Sequence, residues 1–178
     1  YEEMKKYIGE GRWHISGSSW DATDALVPST ESFIRNIMLG QQYYRQEFGV
    51  ESTDIFLPDC FGFGWTLPTI ASHCGLIGFS SQKLDWRVHP FYGKSKHPFT
   101  IGLWKGIDGS SIMLAHGYDY GRRWNDEDLS ENEQLKELAG RTPLNTVYRY
   151  YGTGDIGGSP TLASVRSVEK GLRGNGPV

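Results

Sequence analysis

Apolar positions along the chain switch between two periods, and the switching is the first guide to architecture. Phe33, Ile34, Ile37, Met38 and Tyr44 recur at steps that place them on one face of a helix. Pro28-Ser29-Thr30-Glu31 starts that helix with Ser29 as its N-cap, and Phe48-Gly49 stops it. Ile55-Phe56-Leu57 then forms a short continuous apolar run, β-branched and aromatic, as a buried parallel strand would be. Leu67 to Cys74 predicts a second helix, closed by Gly75, and Ile77–Ser80 another short strand. Thr100–Trp104 and Ser111–Ala115 read as paired strands joined through the turn signal Gly106-Ile107-Asp108-Gly109. Further helices are predicted from the first residues to Gly9 or Gly11, around Glu133–Ala139, and over Thr161–Lys170. Further strands are predicted over Trp13–Ile15 and Thr146–Tyr150. Residues 87–99 and 117–132 read as loops. Helix and strand signals that alternate in this way belong to β/α units around a parallel sheet. No internal repeat or linker divides the sequence, so it reads as one domain or part of one.

Charge and composition narrow the class. The chain has 178 residues, with 18 Lys+Arg against 21 Asp+Glu and a pI near 6.0. Its basic residues are not gathered into a stripe, which argues against a nucleic-acid partner. No apolar run approaches the roughly 20 residues that span a bilayer, which argues against a membrane helix. Cys60 and Cys74 are the only cysteines, so neither a disulfide scaffold nor a CxxC metal cluster is present, and two buried free thiols are expected, with a single Cys60–Cys74 disulfide as the alternative. His14, His73, His89, His97 and His116 are scattered, with no pair at metal-ligand spacing on a helix. Six Trp and ten Tyr fit the aromatic platforms with which proteins grip sugars, and fit a core equally well. Tyr1–Tyr7 reads as a helix already under way, without a capping residue, and Gly171–Val178 as an unfinished loop. The expectation is a piece of a larger protein.

Two aspartates carry the candidate chemistry. Pro58 cannot extend a sheet ladder, so the strand through Leu57 ends there and delivers Asp59 to its carboxyl end. That is where α/β proteins gather ligands and catalytic groups. Gly62 and Gly64 follow and permit close approach. A plainer role is open to Asp59, as a cap for the helix starting near Thr66. Asp155 lies in Gly152-Thr153-Gly154-Asp155-Ile156-Gly157-Gly158, again after a predicted strand, and an ordinary turn or an anion nest explains that segment as well. Two carboxyls at neighbouring strand ends are the minimum equipment for glycoside hydrolysis, about 5–5.5 Å apart in a retaining enzyme. Other chemistries lack their signatures. No Gly-Lys-Ser/Thr follows the glycine-rich segment, its spacing misses the dinucleotide fingerprint, and no Gly-x-Ser-x-Gly elbow occurs.

Trp20, Pro28–Ser32, Leu57-Pro58-Asp59, Gln82-Lys83-Leu84 and Tyr151–Thr161 belong to co-linear segments that resemble glycoside hydrolase family 38, the α-mannosidases. Trp20 to Ser32, ending Pro28-Ser29-Thr30-Glu31-Ser32, is similar to the family's W-x-E-x-D-x-N-x-P-S-G-E-S. Gly40-Gln41-x-Tyr43-x-x-x-Glu47-Phe48-Gly49-Val50, Leu57-Pro58-Asp59-x-Phe61-Gly62 and Leu67-Pro68 follow in the family's order and spacing. So do Gln82-Lys83-Leu84-x-Trp86 and Trp104-x-Gly106-x-Asp108-Gly109-Ser110. Tyr151-Gly152-x-Gly154-Asp155-x-Gly157-Gly158-x-Pro160-Thr161 resembles the glycine-rich segment of the bacterial and cytosolic-type branch. The family commonly has Glu, Asp and Asn around residues 22–26, and the chain lacks the Glu and the Asn. It has Ala22, Asp24 and Leu26 there, and it diverges again from Ala115 to Trp124.

The resemblance implies an α/β fold, a partial seven-stranded β/α barrel with parallel strands alternating with helices. Residues 1–178 would be the central portion of one α-mannosidase catalytic domain, incomplete at both ends. It implies a retaining exo-α-mannosidase that removes terminal α-mannosyl residues from a mannose-containing oligosaccharide with a divalent metal, usually zinc. Asp59 takes the position of the residue that is both nucleophile and metal ligand. The family's other ligands, a His-x-Asp or His-x-His pair and a distant histidine, are expected outside this chain. Asp155 is the expected acid/base, with Asp119 as second choice or as a partner for a sugar hydroxyl. Lys83 would steady the carboxylate or a hydroxyl, or be a surface lysine. Trp20 and Trp86 would touch sugar or belong to the core. The isolated chain is expected to be inactive, and its open barrel edge to favour homo-oligomers. The competing class is a non-catalytic carbohydrate-binding or scaffold fragment.

Overall fold

A computed structural model of the chain describes residues 1–85, 100–117 and 121–174. Among the described residues, five α-helices and four strands run in the order α1 (Glu2–Gly9), α2 (Thr30–Phe48), β1 (Asp54–Phe56), α3 (Leu67–His73), β2 (Gly78–Ser81), β3 (Ile101–Lys105), β4 (Ser111–His116), α4 (Glu133–Ala139) and α5 (Leu162–Arg173). The strands form one sheet in the order β1-β2-β4-β3. Two compact units divide the chain. The first holds Tyr1–Ser81 with Leu103–Leu114, the second Gln82–Gly102 with Ala115–Val178.

In the first unit, α2 follows its sequence signals at both ends, while Met38 of its predicted apolar face is exposed. Ser29 takes an extended conformation and its hydroxyl accepts the Ser32 N–H at 3.2 Å. Gly49, at φ +69°, ends the helix by donating to the Arg45 carbonyl. Phe33, Ile37, Gly40 and Gln41 face inward. The Gln41 amide then clamps the returning chain, donating to Ser52 O at 2.6 Å and accepting Ser52 N–H at 3.0 Å. That clamp launches β1. β1 and β2 pair in parallel, with Ile55 opposite Phe79 and α3 between them in sequence, which is the β-α-β connection a parallel pair requires. β3 turns into β4 through residues 106–110, with Gly106 donating to Ser110 O at 2.8 Å. Ile112 and Leu114 of β4 are buried while Met113 between them is exposed, the alternation of a sheet with one face covered.

Trp13–Ile15 is not a strand. Trp13 and His14 lie in solvent, so their β-propensity gains no packing. The chain docks on β1 just beyond them, mostly through one side chain. The Asp54 carboxylate accepts Ser16 Oγ at 2.7 Å, Ser52 Oγ at 3.0 Å and Gly17 N–H at 3.2 Å. Ser18 N–H adds one bond to the Asp54 carbonyl. Tyr44 donates to Gly17 O at 2.9 Å, and burial, then the Asp54 charge, raises its phenol above the ordinary value.

The second unit packs Trp124, Leu129 and Leu135 with Val147 and Val168. Ser164 of α5 accepts the Trp124 N–H at 2.9 Å. Asn132 and Thr161 cap α4 and α5 with their side chains. Thr146–Tyr150 is not a strand either. Tyr148 N–H goes to the Thr100 hydroxyl at 3.1 Å, a side-chain partner where a ladder needs a carbonyl. Among the described residues no helix is long and apolar enough to cross a membrane.

Candidate active site

The loop Leu57–Thr66 begins where β1 stops pairing. Leu57 donates to Ser80 O at 3.0 Å, extending the parallel ladder by one bond. Pro58 and Asp59 then turn away, and Asp59 is exposed just past the carboxyl end of the strand. The N-cap position of α3 is taken by Thr66, which makes no side-chain cap bond. The far side of the loop is anchored by Phe63, whose ring meets Phe79 of β2 edge-on at 5.0 Å and Trp104 of β3 at 6.4 Å. Cys60 Sγ donates to Gly62 O at 3.5 Å within the loop.

A second loop, residues 21–28, lies against the first. Asn36 of α2 holds its start, donating to Asp21 O at 3.0 Å and to Thr23 Oγ1 at 2.7 Å. Asp24 holds its middle, its Oδ1 accepting Leu26 N–H at 2.7 Å and Val27 N–H at 3.0 Å. Those two bonds set the Asp24 carboxyl below its usual range. Leu26 then reaches Gly62, where a Cβ, if present, would meet Leu26 Cδ1 at 2.5 Å. Gly62 sits at φ +149°, so glycine is required there by backbone and by neighbour. The space these glycines open is therefore used by Leu26. Phe61, 54% exposed, and Trp65, 83% exposed, flank the loop. Nothing in the local pattern marks Leu26 as a contributor, and for Phe61 and Trp65 the signal was two aromatics in a glycine-rich segment after a strand.

The other candidate residues fall in different places. Trp20 is exposed and meets Tyr43 of α2 edge-on at 5.3 Å. Lys83 opens a 3-10 turn two residues past β2. Trp86 and Asp119 lie outside the described residues. Asp155 is exposed in the second unit at φ +64°. Ile156 N–H donates back to Gly154 O at 2.9 Å, making a three-residue turn centred on Asp155. No strand delivers it. The expectation that Thr146–Tyr150 carries Asp155 to a strand end is corrected by the irregular course of that segment.

A divalent metal needs several donors converging on one point. Among the described residues no group of three or more His, Cys, Asp or Glu side chains makes such a set. Asp59 supplies one oxygen donor group, and these residues do not by themselves fit a metal ion. What the loop can do chemically is present one carboxylate, at a strand end, to a ligand in solvent.

Residues 1–171 match the family described as Glycosyl hydrolases family 38 N-terminal domain. Similar proteins include Alpha-mannosidase G of Dictyostelium discoideum, 34% identical over 170 residues, which cover 94% of this chain and 15% of that protein. Alpha-mannosidase 2C1 of Homo sapiens is 31% identical over 172 residues, covering 96% of this chain and 16% of that protein. The chain thus spans less than a fifth of the length of these relatives. Among solved structures, an alpha-mannosidase from Enterococcus faecalis V583 superposes with a TM-score of 0.62 at 16% identity, over 97% of this chain and 19% of that one. A 4-alpha-glucanotransferase from Thermococcus litoralis superposes with a TM-score of 0.63 at 14% identity, over 98% of this chain and 26% of that one.

Proposed function

The chain belongs to glycosyl hydrolase family 38, and on that premise we propose that it is part of the catalytic domain of a retaining exo-α-mannosidase. The substrate class is a glycan with a terminal α-mannosyl residue. The architecture proposed for the intact domain is a seven-stranded β/α barrel, to which β1 and β2 contribute two parallel staves. One observation carries the reading. Asp59 stands exposed at the carboxyl end of a strand in a parallel pair, the position at which such folds do chemistry.

The chemistry divides into two displacements. Asp59 attacks the anomeric carbon while the bond to the leaving oxygen breaks, and Asp155 gives that oxygen its proton. The product of the first step is a mannosyl ester of Asp59. Water then attacks the anomeric carbon, Asp155 takes its proton, and the Asp59 carboxylate leaves. Lys83, Trp20, Trp86 and Asp119 are proposed sugar contacts. A divalent metal, zinc in the usual case, would be held by Asp59 together with donors beyond the described residues, and would supply Lewis-acid polarisation of sugar hydroxyls. The isolated chain is proposed to be inactive.

The test is Asp59→Ala in the full-length protein, assayed on an aryl α-mannoside. Turnover should fall by several orders of magnitude, and near-normal turnover would refute the assignment.

A further inference from the structure

We propose that Asp24 and Leu26 are positioning residues for the Asp59 loop, a role that rests on the reading of Asp59 as nucleophile. The two ends of that loop are anchored on the sheet, by Leu57 N–H on Ser80 O and by Phe63 against Phe79 and Trp104. Between the anchors lies Asp59–Gly62, a stretch with one glycine in the left-handed half of backbone space. Glycine adds backbone freedom where a nucleophile needs a fixed place. Leu26 limits that freedom from outside. Its Cδ1 occupies the space a Gly62 side chain would enter, and Ala25 O and its own Cδ2 come within contact of the Cβ position of Gly64.

Leu26 is itself 59% exposed, so burial alone does not hold it. Asp24 does, by taking the N–H groups of Leu26 and Val27 on one carboxylate oxygen. The order of support runs from Asp24 to Leu26, from Leu26 to Gly62, and so to Asp59. Removing the Leu26 side chain opens space into which Gly62 can move, and Asp59 moves with it. A misplacement near 1 Å can cost on the order of a hundredfold in rate. Ground-state binding of the sugar, set by other residues, would change little.

The experiment measures kcat, KM and thermal midpoint of the full-length protein with Leu26→Ala, Leu26→Met, Asp24→Ala, Asp24→Asn and Asp59→Asn. Leu26→Ala and Asp24→Ala should lower kcat on the order of tenfold or more, with KM and midpoint little changed. Leu26→Met keeps an apolar side chain and Asp24→Asn keeps an acceptor oxygen, so both should restore most of the lost rate. Wild-type kcat in both alanine variants would overturn the proposal, and so would a kcat loss that only follows loss of folded protein. Asp59→Asn separates the two ideas. If it is inactive while both alanine variants are normal, the positioning role alone fails. If it turns over normally, the nucleophile reading fails and the positioning role falls with it.

Discussion

Asp108, in the turn between β3 and β4, accepts the hydroxyl of Thr69 on α3 at 2.7 Å. The same oxygen accepts Ser110 Oγ at 2.6 Å and Ser110 N–H at 3.1 Å, while the other faces His73 Nε2 at 3.3 Å. One carboxylate therefore closes its own turn and fastens it to a helix. Gly106 belongs to the same clasp, since a Cβ there would strike Thr69 Oγ1. The segment Trp104-x-Gly106-x-Asp108-Gly109-Ser110 thus has a structural reason in this fold that does not depend on chemistry.

The clasp predicts a pH dependence. Hydrogen bonds from Ser110 and Thr69 hold the Asp108 carboxyl well below the usual carboxylate range. A folded-state value below the unfolded one stabilises the fold above about pH 4, and that contribution is lost as pH falls toward the folded value. Asp108→Asn should therefore lower the thermal midpoint by a few degrees at neutral pH. The gap from wild type should narrow steadily as pH falls below about 4 toward the folded value. A gap that stays constant over that range would assign the loss to shape and not to charge.

Two helical glycines should respond to alanine in opposite ways. A Cβ on Gly40 would run into Ser18 O, Ser19 and the Trp20 N–H, whereas one on Gly9 would meet nothing within 4 Å. Gly40→Ala should cost about 1–3 kcal/mol, as overpacking does. Gly9→Ala should be neutral or stabilise by up to about 1 kcal/mol. Denaturant unfolding of both variants checks the contrast.

Asp54 and Asp59 stand at opposite ends of one short strand and should fail differently. Asp54 is half-buried and accepts Ser16, Gly17 and Ser52. Asp54→Ala should cost about 1–3 kcal/mol, as a lost acceptor beneath partly buried donors does. Asp59 is exposed, so Asp59→Ala should cost less than Asp54→Ala. Denaturation curves of the two variants side by side make the comparison.

What the sequence made legible was local. Ser29 and Gly49 bound α2 because capping depends on a few neighbouring residues, and Gly106–Gly109 marked its turn for the same reason. Leu57-Pro58-Asp59 put the carboxylate past a strand end because proline cannot continue a ladder. Trp13–Ile15 and Thr146–Tyr150 carried strand-like residues without becoming strands, because pairing needs an edge supplied by distant parts of the chain. Leu26 against Gly62 was invisible for a related reason. The glycines announced a close approach, and nothing local said what would approach.

Asp155 offers a test that spares the backbone. Its φ of +64° is one that asparagine also tolerates, so Asp155→Asn removes the charge and keeps the turn. In the full-length protein this variant should be crippled on mannosides with poor leaving groups. The first step on activated aryl mannosides should be largely spared, and azide should rescue the second. Equal losses on both substrates, with no azide effect, would move the acid/base role to another residue.

If Asp59 is the nucleophile, it carries a covalent bond to mannose between the two displacements. An activated fluoro-mannosyl inactivator, which forms the glycosyl ester quickly and releases it slowly, traps that bond in the full-length protein. Peptide mass mapping then locates the added sugar. One sugar per active chain should be found on Asp59, in the peptide that contains Leu57-Pro58-Asp59-Cys60. A stoichiometric label on any other residue would contradict it.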